Sequence, residues 1–255
     1  MEALAPPLPT FLIIGAQKSA TRWLRLNLGL HPEVFTASRE IEFFNNGDRY
    51  RELGTDWYRA QFEGWAGEAF VGEATPGYMF WRHRPAVVSE RIQETLPGVR
   101  LIATLRNPID RAQSALVHHM EYGALPRDSV LLDHVRSVDP ERDKLGIICG
   151  GWYAASLEPY KERFGDQLLV VLHDDVDDDA RGVYDTALRH IGARADFVPA
   201  GFERVRFSHQ QEVSSEPGRQ PLTLAERREL WQYFADDVAQ LERLIGRDLS
   251  LWDPS

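Results

Sequence analysis

The residues of this chain that can do chemistry first gather in the stretch FLIIGAQKSATRWL, Phe11 to Leu24. An apolar run reaches Gly15, which permits a sharp turn; Lys18, Ser19 and Thr21 follow where a helical pattern begins. A cation, hydroxyls and the N–H groups of a helix start together make a cradle for an anion. A triphosphate loop of the form G-x-x-x-x-G-K-[ST] is matched only in part. Ser19 follows Lys18, but Gln17 stands at the second glycine position and Gly15 lies three residues before the lysine. The later apolar runs end in Arg106 and His173 rather than in the aspartate that holds a nucleotide's Mg²⁺. A second anion site is written in LIATLRNPIDRAQSALVHH, where Arg106 ends an apolar run, Pro108 starts a helix and Ser114 lies two turns into it. Such an arginine and serine fork onto a phosphate group.

These residues need a scaffold that brings strand ends together. Phe11 to Ile14, Ala69 to Val71, Leu101 to Leu105 and Leu168 to Leu172 are short, apolar and bounded by polar or turn residues, as buried strands are. Apolar spacing of three and four predicts helices over Thr21 to Leu30, Arg84 to Thr95, Pro108 to Tyr122, Gly151 to Phe164 and Ala180 to Ile191. A long C-terminal helix is predicted over Leu222 to Leu244. Strands alternating with helices predict an α/β fold, with a central, mainly parallel sheet flanked by helices on both faces and ligands at the carboxyl ends of the strands. Gly201 to Pro221 is the longest stretch without a clear period, and long loops in compact domains are often functional.

Composition narrows the function classes. At 255 residues with 43% hydrophobic residues, the chain is expected to form one domain over 1–255. A net charge of -10 disfavours nucleic acid and anionic membrane as partners. Cys149 is the single cysteine, the start MEALAPPLPT lacks the marks of a secretory signal, and no apolar run is long enough to span a bilayer. A cytoplasmic protein is expected. The acidic run from His173 to Gly182 lacks the glycine and glutamate of an EF-hand loop and reads as a strand exit and helix cap; no metal is expected.

The Lys18 turn together with the Arg106/Ser114 pair resembles the nucleotide-binding elements of sulfotransferases that use 3′-phosphoadenylyl sulfate (PAPS), and a P-loop-like three-layer sandwich is the fold this implies. The heparan-sulfate branch, with its N-deacetylase/N-sulfotransferase and 3-O-sulfotransferase types, is the most similar. REIEFFN (Arg39 to Asn45), GEATPGYMF (Gly72 to Phe80), the helix and strand of GGWYAASLEPYKERFGDQLLVVLHDDV, and SSEPGRQPL follow in that branch's order. The resemblance implies that Gln17, Lys18, Ser19, Ala20, Thr21, Arg22 and Trp23 hold the phosphosulfate. Arg106, Ser114, Tyr153, Gly218 and Arg219 then belong to the rest of the nucleotide site. Two separated anionic groups explain two separated cradles.

Sulfuryl transfer to an alcohol requires positioning of the acceptor, removal of its proton and neutralisation of the leaving phosphate. Lys18 suits the last task, and Glu40 is the base the resemblance implies. Glu42, His118 and His119 are the other candidates for base or acceptor contact, and Tyr78 belongs to an aromatic group with Trp57, Tyr58, Met79 and Trp81 expected to divide between core and acceptor pocket. The loop departs from its relatives at Ala20, where they carry glycine, and at Arg22, where they carry threonine. Ala74 stands where the glycan enzymes commonly have lysine, which favours a small hydroxylated acceptor, such as a secondary metabolite or glycolipid precursor, over a long sulfated glycan. A small-molecule kinase with an irregular phosphate loop and a non-catalytic binding module are the alternatives.

Overall fold

The computed structural model describes residues 5–200, 202 and 217–255. In chain order the strands are β1 (Phe11–Gly15), β2 (Val34–Thr36), β3 (Phe70–Ala74), β4 (Arg100–Leu105) and β5 (Leu168–Leu172). The helices are α1 (Thr21–Leu28), α2 (Gly54–Ala60), α3 (Pro85–Thr95), α4 (Pro108–Glu121), α5 (Leu131–Ser137), α6 (Tyr153–Phe164), α7 (His173–Ile191), α8 (Leu224–Trp231) and α9 (Ala235–Ile245). Every strand pairing is parallel, and the order across the sheet is β2-β3-β1-β4-β5.

The apolar runs are continuous because both sheet faces are covered. Leu12, Ile14, Val71, Leu101 and Ala103 pack in one layer with Ile92 of α3, Ala112 of α4, Leu157 of α6 and Leu241 of α9. Their strand neighbours Phe11, Ile13, Ala74 and Ile102 point the other way, onto Leu24 of α1 and Leu188 of α7. Alternation within a strand thus assigns each side chain to one of two cores. Each fully buried aliphatic or phenyl side chain contributes about 1.5–3 kcal/mol by leaving water.

Parallel strands put all five carboxyl ends on one rim. The segments leaving β1, β2, β3, β4 and β5 there carry Lys18, Glu40, Thr75, Arg106 and His173 in turn. The chain leaves central β1 for the β2 edge, returns to β3, and crosses to β4 on the opposite side, so a crevice opens at β1 where the winding reverses.

Several elements differ from the sequence expectation. The C-terminal helix is two helices: Tyr233 N–H and Phe234 N–H bond three residues back, to Leu230 and Trp231, and Phe234 buries its ring at the break. The bend lets the Asp237 carboxylate accept the Ala154 and Ala155 N–H groups at 3.0 and 3.2 Å, capping α6. The helix expected from Ala180 is the second half of α7; the first half begins at His173, inside the acidic run, and joins it through non-helical Asp179. Asp174 and Asp175 occupy the first turn, where the helix dipole favours carboxylates. The strand expected at Ala69–Val71 is Phe70–Ala74, and β2, α2 and α5 were not anticipated.

Candidate active site

The turn after β1 is built for close approach. A β-carbon on Gly15 would lie 2.7 Å from Met79 Cβ, so only glycine fits beneath the turn. Lys18 and Ala20 both have positive φ, 68° and 73°, and Ala20 enters α1 from the left-handed region. No side chain caps α1 and no acidic residue occupies its first turn. This leaves the positive end of the helix facing the rim. Ser19 and Thr21 are buried, Gln17 and Arg22 are exposed, and Lys18 lies between these extremes. The Ser19 hydroxyl is left without a well-formed hydrogen bond, beside the Tyr153 hydroxyl. The Trp23 ring is buried and meets Phe202 edge-on at 6.1 Å, packing into the second core.

Lys18 and Arg106 converge electrostatically. Partial burial lowers the pKa of Lys18, the charges of Arg106 and Arg111 lower it further, and Glu121 opposes them. Tyr153, at the start of α6, donates its hydroxyl to the Arg106 carbonyl at 2.9 Å, tying the β4 exit to the helix that Asp237 caps. Arg111 is a buried cation whose guanidinium donates to the carbonyls of Gly146 (2.7 Å) and Ile147. Ser114 is half-buried on the same helix, α4.

The C-terminal loop closes on α4. Buried Gln113 donates to the carbonyls of Gly218 at 2.6 Å and Gln220 at 3.2 Å. Arg219 reaches Glu121 at 2.6 Å, so this expected phosphate contact holds a carboxylate in the structure. A cleft of about 150 Å³ lies beside it, lined by Arg106, Asp110, Gln113, Gln220, Leu222 and Arg227. The stretch Ser214 to Glu216 of the expected closing loop lies outside the described residues.

Beyond β2, Glu40 stands exposed on the rim. Its pKa is raised, first by desolvation from the surrounding protein and then by the carboxylates of Glu42 and Glu73; Arg25 of α1 opposes them. Glu42 has a positive φ of 52° and an exposed side chain 3.7 Å from Arg49. Ala74 is buried and faces the second core.

His118 and His119 sit in the last turn of α4, where His119 bonds the Leu145 carbonyl at 2.9 Å and His118 packs on Tyr122. Tyr78, expected toward the acceptor, is fully buried with Tyr58 and Met79 in the first core. Sequence reasoning passed over Glu73, a fully buried carboxylate in β3, and Gln113; a carboxylate inside an apolar strand is the signal that singles out Glu73. Among the described residues no group of three His, Cys, Asp or Glu is arranged to hold a metal, and no helix is long and apolar enough to cross a membrane.

A family profile described as "Sulfotransferase domain" matches residues 8–214. The crystal structure of a sulfotransferase from Alicyclobacillus acidocaldarius superposes with a TM-score of 0.78 at 28% identity, covering 96% of this chain and 98% of that one. Heparan sulfate glucosamine 3-O-sulfotransferase 5 of Mus musculus is 35% identical over 118 residues, 46% of this chain and 33% of the relative. Bifunctional heparan sulfate N-deacetylase/N-sulfotransferase 4 of Mus musculus is 26% identical over 278 residues, 96% of this chain and 31% of the relative. The chain spans about a third of the length of these curated relatives.

Proposed function

Because the chain belongs to the sulfotransferase domain family, we propose that it acts as a single domain over 1–255 that moves a sulfuryl group from PAPS to a hydroxyl of a small-molecule acceptor, releasing adenosine 3′,5′-bisphosphate. The observation that carries this reading is the convergence of Lys18 and Arg106 at the carboxyl ends of adjacent strands β1 and β4, beside the uncapped start of α1. Two cationic points and a helix N-terminus fit a ligand with two separated anionic groups.

The donor supplies the activated sulfuryl group when bound. Lys18, with the start of α1, binds the 5′ end and neutralises the negative charge that grows on the leaving phosphate oxygen. Burial and the neighbouring guanidinium groups lower its pKa, a penalty that a bound anion would relieve. Arg106, Ser114 and the Gly218–Arg219 loop hold the 3′-phosphate, with Arg219 exchanging Glu121 for the phosphate. Glu40 takes the proton from the acceptor hydroxyl as its oxygen bonds to sulfur. A raised carboxyl pKa makes Glu40 a stronger base than an ordinary glutamate once ionised. The exposed carboxylates of Glu40 and Glu42 support a small hydroxylated acceptor over an acidic glycan on this side.

Calorimetry with adenosine 3′,5′-bisphosphate in EDTA tests the assignment. Binding that weakens in Lys18→Ala is the expected result. Tight binding of ATP–Mg²⁺ with no binding of the bisphosphate would overturn it in favour of a kinase.

A further inference from the structure

Resting on the reading of Glu40 as base, we infer that Glu73 is a positioning residue, which holds the Glu40-bearing segment in place through the hydroxyls of Thr75 and Tyr78. Glu73 lies in the interior of β3, fully buried, and its hydrogen-bond partners among the described side chains are hydroxyls rather than a cation. Thr75 Oγ1 donates to Glu73 Oε2 at 2.5 Å, and the hydroxyls of Tyr58 and Tyr78 both donate to Oε1 at 2.6 Å.

Two of these three hydroxyls also receive main-chain N–H groups. Thr75 Oγ1 accepts from Ile41 at 3.1 Å and from Glu42 at 3.4 Å, and the Tyr78 oxygen accepts from Phe43 at 3.2 Å. Three consecutive amides immediately after Glu40 therefore end, through two hydroxyls, on a single carboxylate, which the Ile41 N–H also faces directly. A hydroxyl has one proton; when it accepts from an amide in this arrangement, that proton goes to Glu73. The polarity of the relay requires an acceptor at both Glu73 oxygens, which an ionised carboxylate supplies and a carboxamide does not. The carbonyls of the segment are fixed from outside, Ile41 by Arg49 at 2.6 Å and Phe44 by Arg91 at 2.7 Å. Glu73 controls its inner side.

Tyr58 and Tyr78 form a matched pair for the test. Both are fully buried, donate at the same distance to the same oxygen and pack their rings on the phenylalanines of the segment, but only the Tyr78 hydroxyl accepts one of its main-chain N–H groups. Amide hydrogen exchange of the full chain is followed by mass spectrometry over residues 38–46, and the Glu40 carboxyl is titrated by ¹³C NMR. Tyr78→Phe, Thr75→Val and Glu73→Gln are expected to speed exchange of this segment by about tenfold, the weight of one net hydrogen bond. Thr75→Ser and Tyr58→Phe are expected to leave it near wild type. The groups facing Glu40 are Arg25 of α1, Glu42 of its own segment and Glu73 of β3. Releasing the segment re-solvates the carboxyl, so its pKa falls toward the ordinary value in Tyr78→Phe and Thr75→Val but not in Tyr58→Phe. Equal exchange and equal Glu40 titration in Tyr58→Phe and Tyr78→Phe overturn the inference, even where Glu73→Gln does not fold. Neither readout requires turnover: if both behave as expected while Glu40→Gln still transfers sulfate, the clamp stands and Glu40 as base falls.

Discussion

Replacing Lys18 by Met separates a functional cation from a structural one. The thioether keeps the length and flexibility of the lysine stem and removes its charge. In the free protein Lys18 is held in an unfavourable place, desolvated and facing Arg106 and Arg111, with Glu121 only partly compensating. Its pKa in the folded state lies below the ordinary 10.5. Between that lowered value and 10.5 the unfolded chain binds more protons, so stability rises with pH across this window, and the full penalty is present below it. Lys18→Met removes both the penalty and the slope. The melting temperature at neutral pH is expected to stay level or rise, and its dependence on pH to flatten above neutrality. The affinity for adenosine 3′,5′-bisphosphate should fall, because a charge-assisted hydrogen bond contributes about 1.5–3 kcal/mol, or about 10- to 150-fold in Kd. Calorimetry for binding and scanning fluorimetry across pH measure the two effects. A variant that melts lower yet binds the bisphosphate as tightly as wild type would refute the reasoning, since Lys18 would then support the fold and not the ligand.

Glu40→Gln should lower kcat by about 10²- to 10⁴-fold while leaving bisphosphate affinity unchanged. Because the Glu40 pKa is raised, activity in the wild type should climb with pH through a limb that lies above the ordinary glutamate value of 4.5, as initial rates against pH will show. Gln113→Leu strips the Gly218 and Gln220 carbonyls of their donor and should cost about 1–3 kcal/mol in urea unfolding, with weaker bisphosphate binding. Asp237→Ala uncaps α6 and should cost about 1 kcal/mol, which lowers Tm by about 2–4 °C for a domain of this size. Gly15→Ala sets a methyl carbon 2.7 Å from Met79 Cβ and should destabilise by about 1–3 kcal/mol in the same unfolding assay.

The sheet was legible because strands buried on both faces must be apolar throughout, and such runs stand out from amphipathic helices. β2 escaped because it is three residues long, too short to show a pattern. The two halves of the C-terminal helix share one apolar periodicity. What divides them is the demand for a cap on α6, met by Asp237 more than 80 residues away in sequence. Long-range hydrogen bonding of this kind leaves no local trace. The early start of α7 was missed for a related reason: a run of aspartates is a poor helix interior but a favourable first turn, and which applies depends on where the preceding strand stops.

The site divides along the same line. The place of Lys18 and Arg106 on the rim was legible because each follows an apolar run that forms a parallel strand. Glu73 could not be interpreted, because its meaning lies in partners drawn from α2, from the turn after β3 and from the segment after β2. The departure at Ala20 has the opposite outcome. Its φ of 73° is the conformation a glycine would take, and its methyl group packs on the second core with Trp23 and Leu24. A left-handed alanine costs about 1–2 kcal/mol, and burial of its methyl offsets about half of that. The lysine turn therefore keeps the glycine-type backbone course without the glycine, and the strain stays in the residue that sets the start of α1 at the rim.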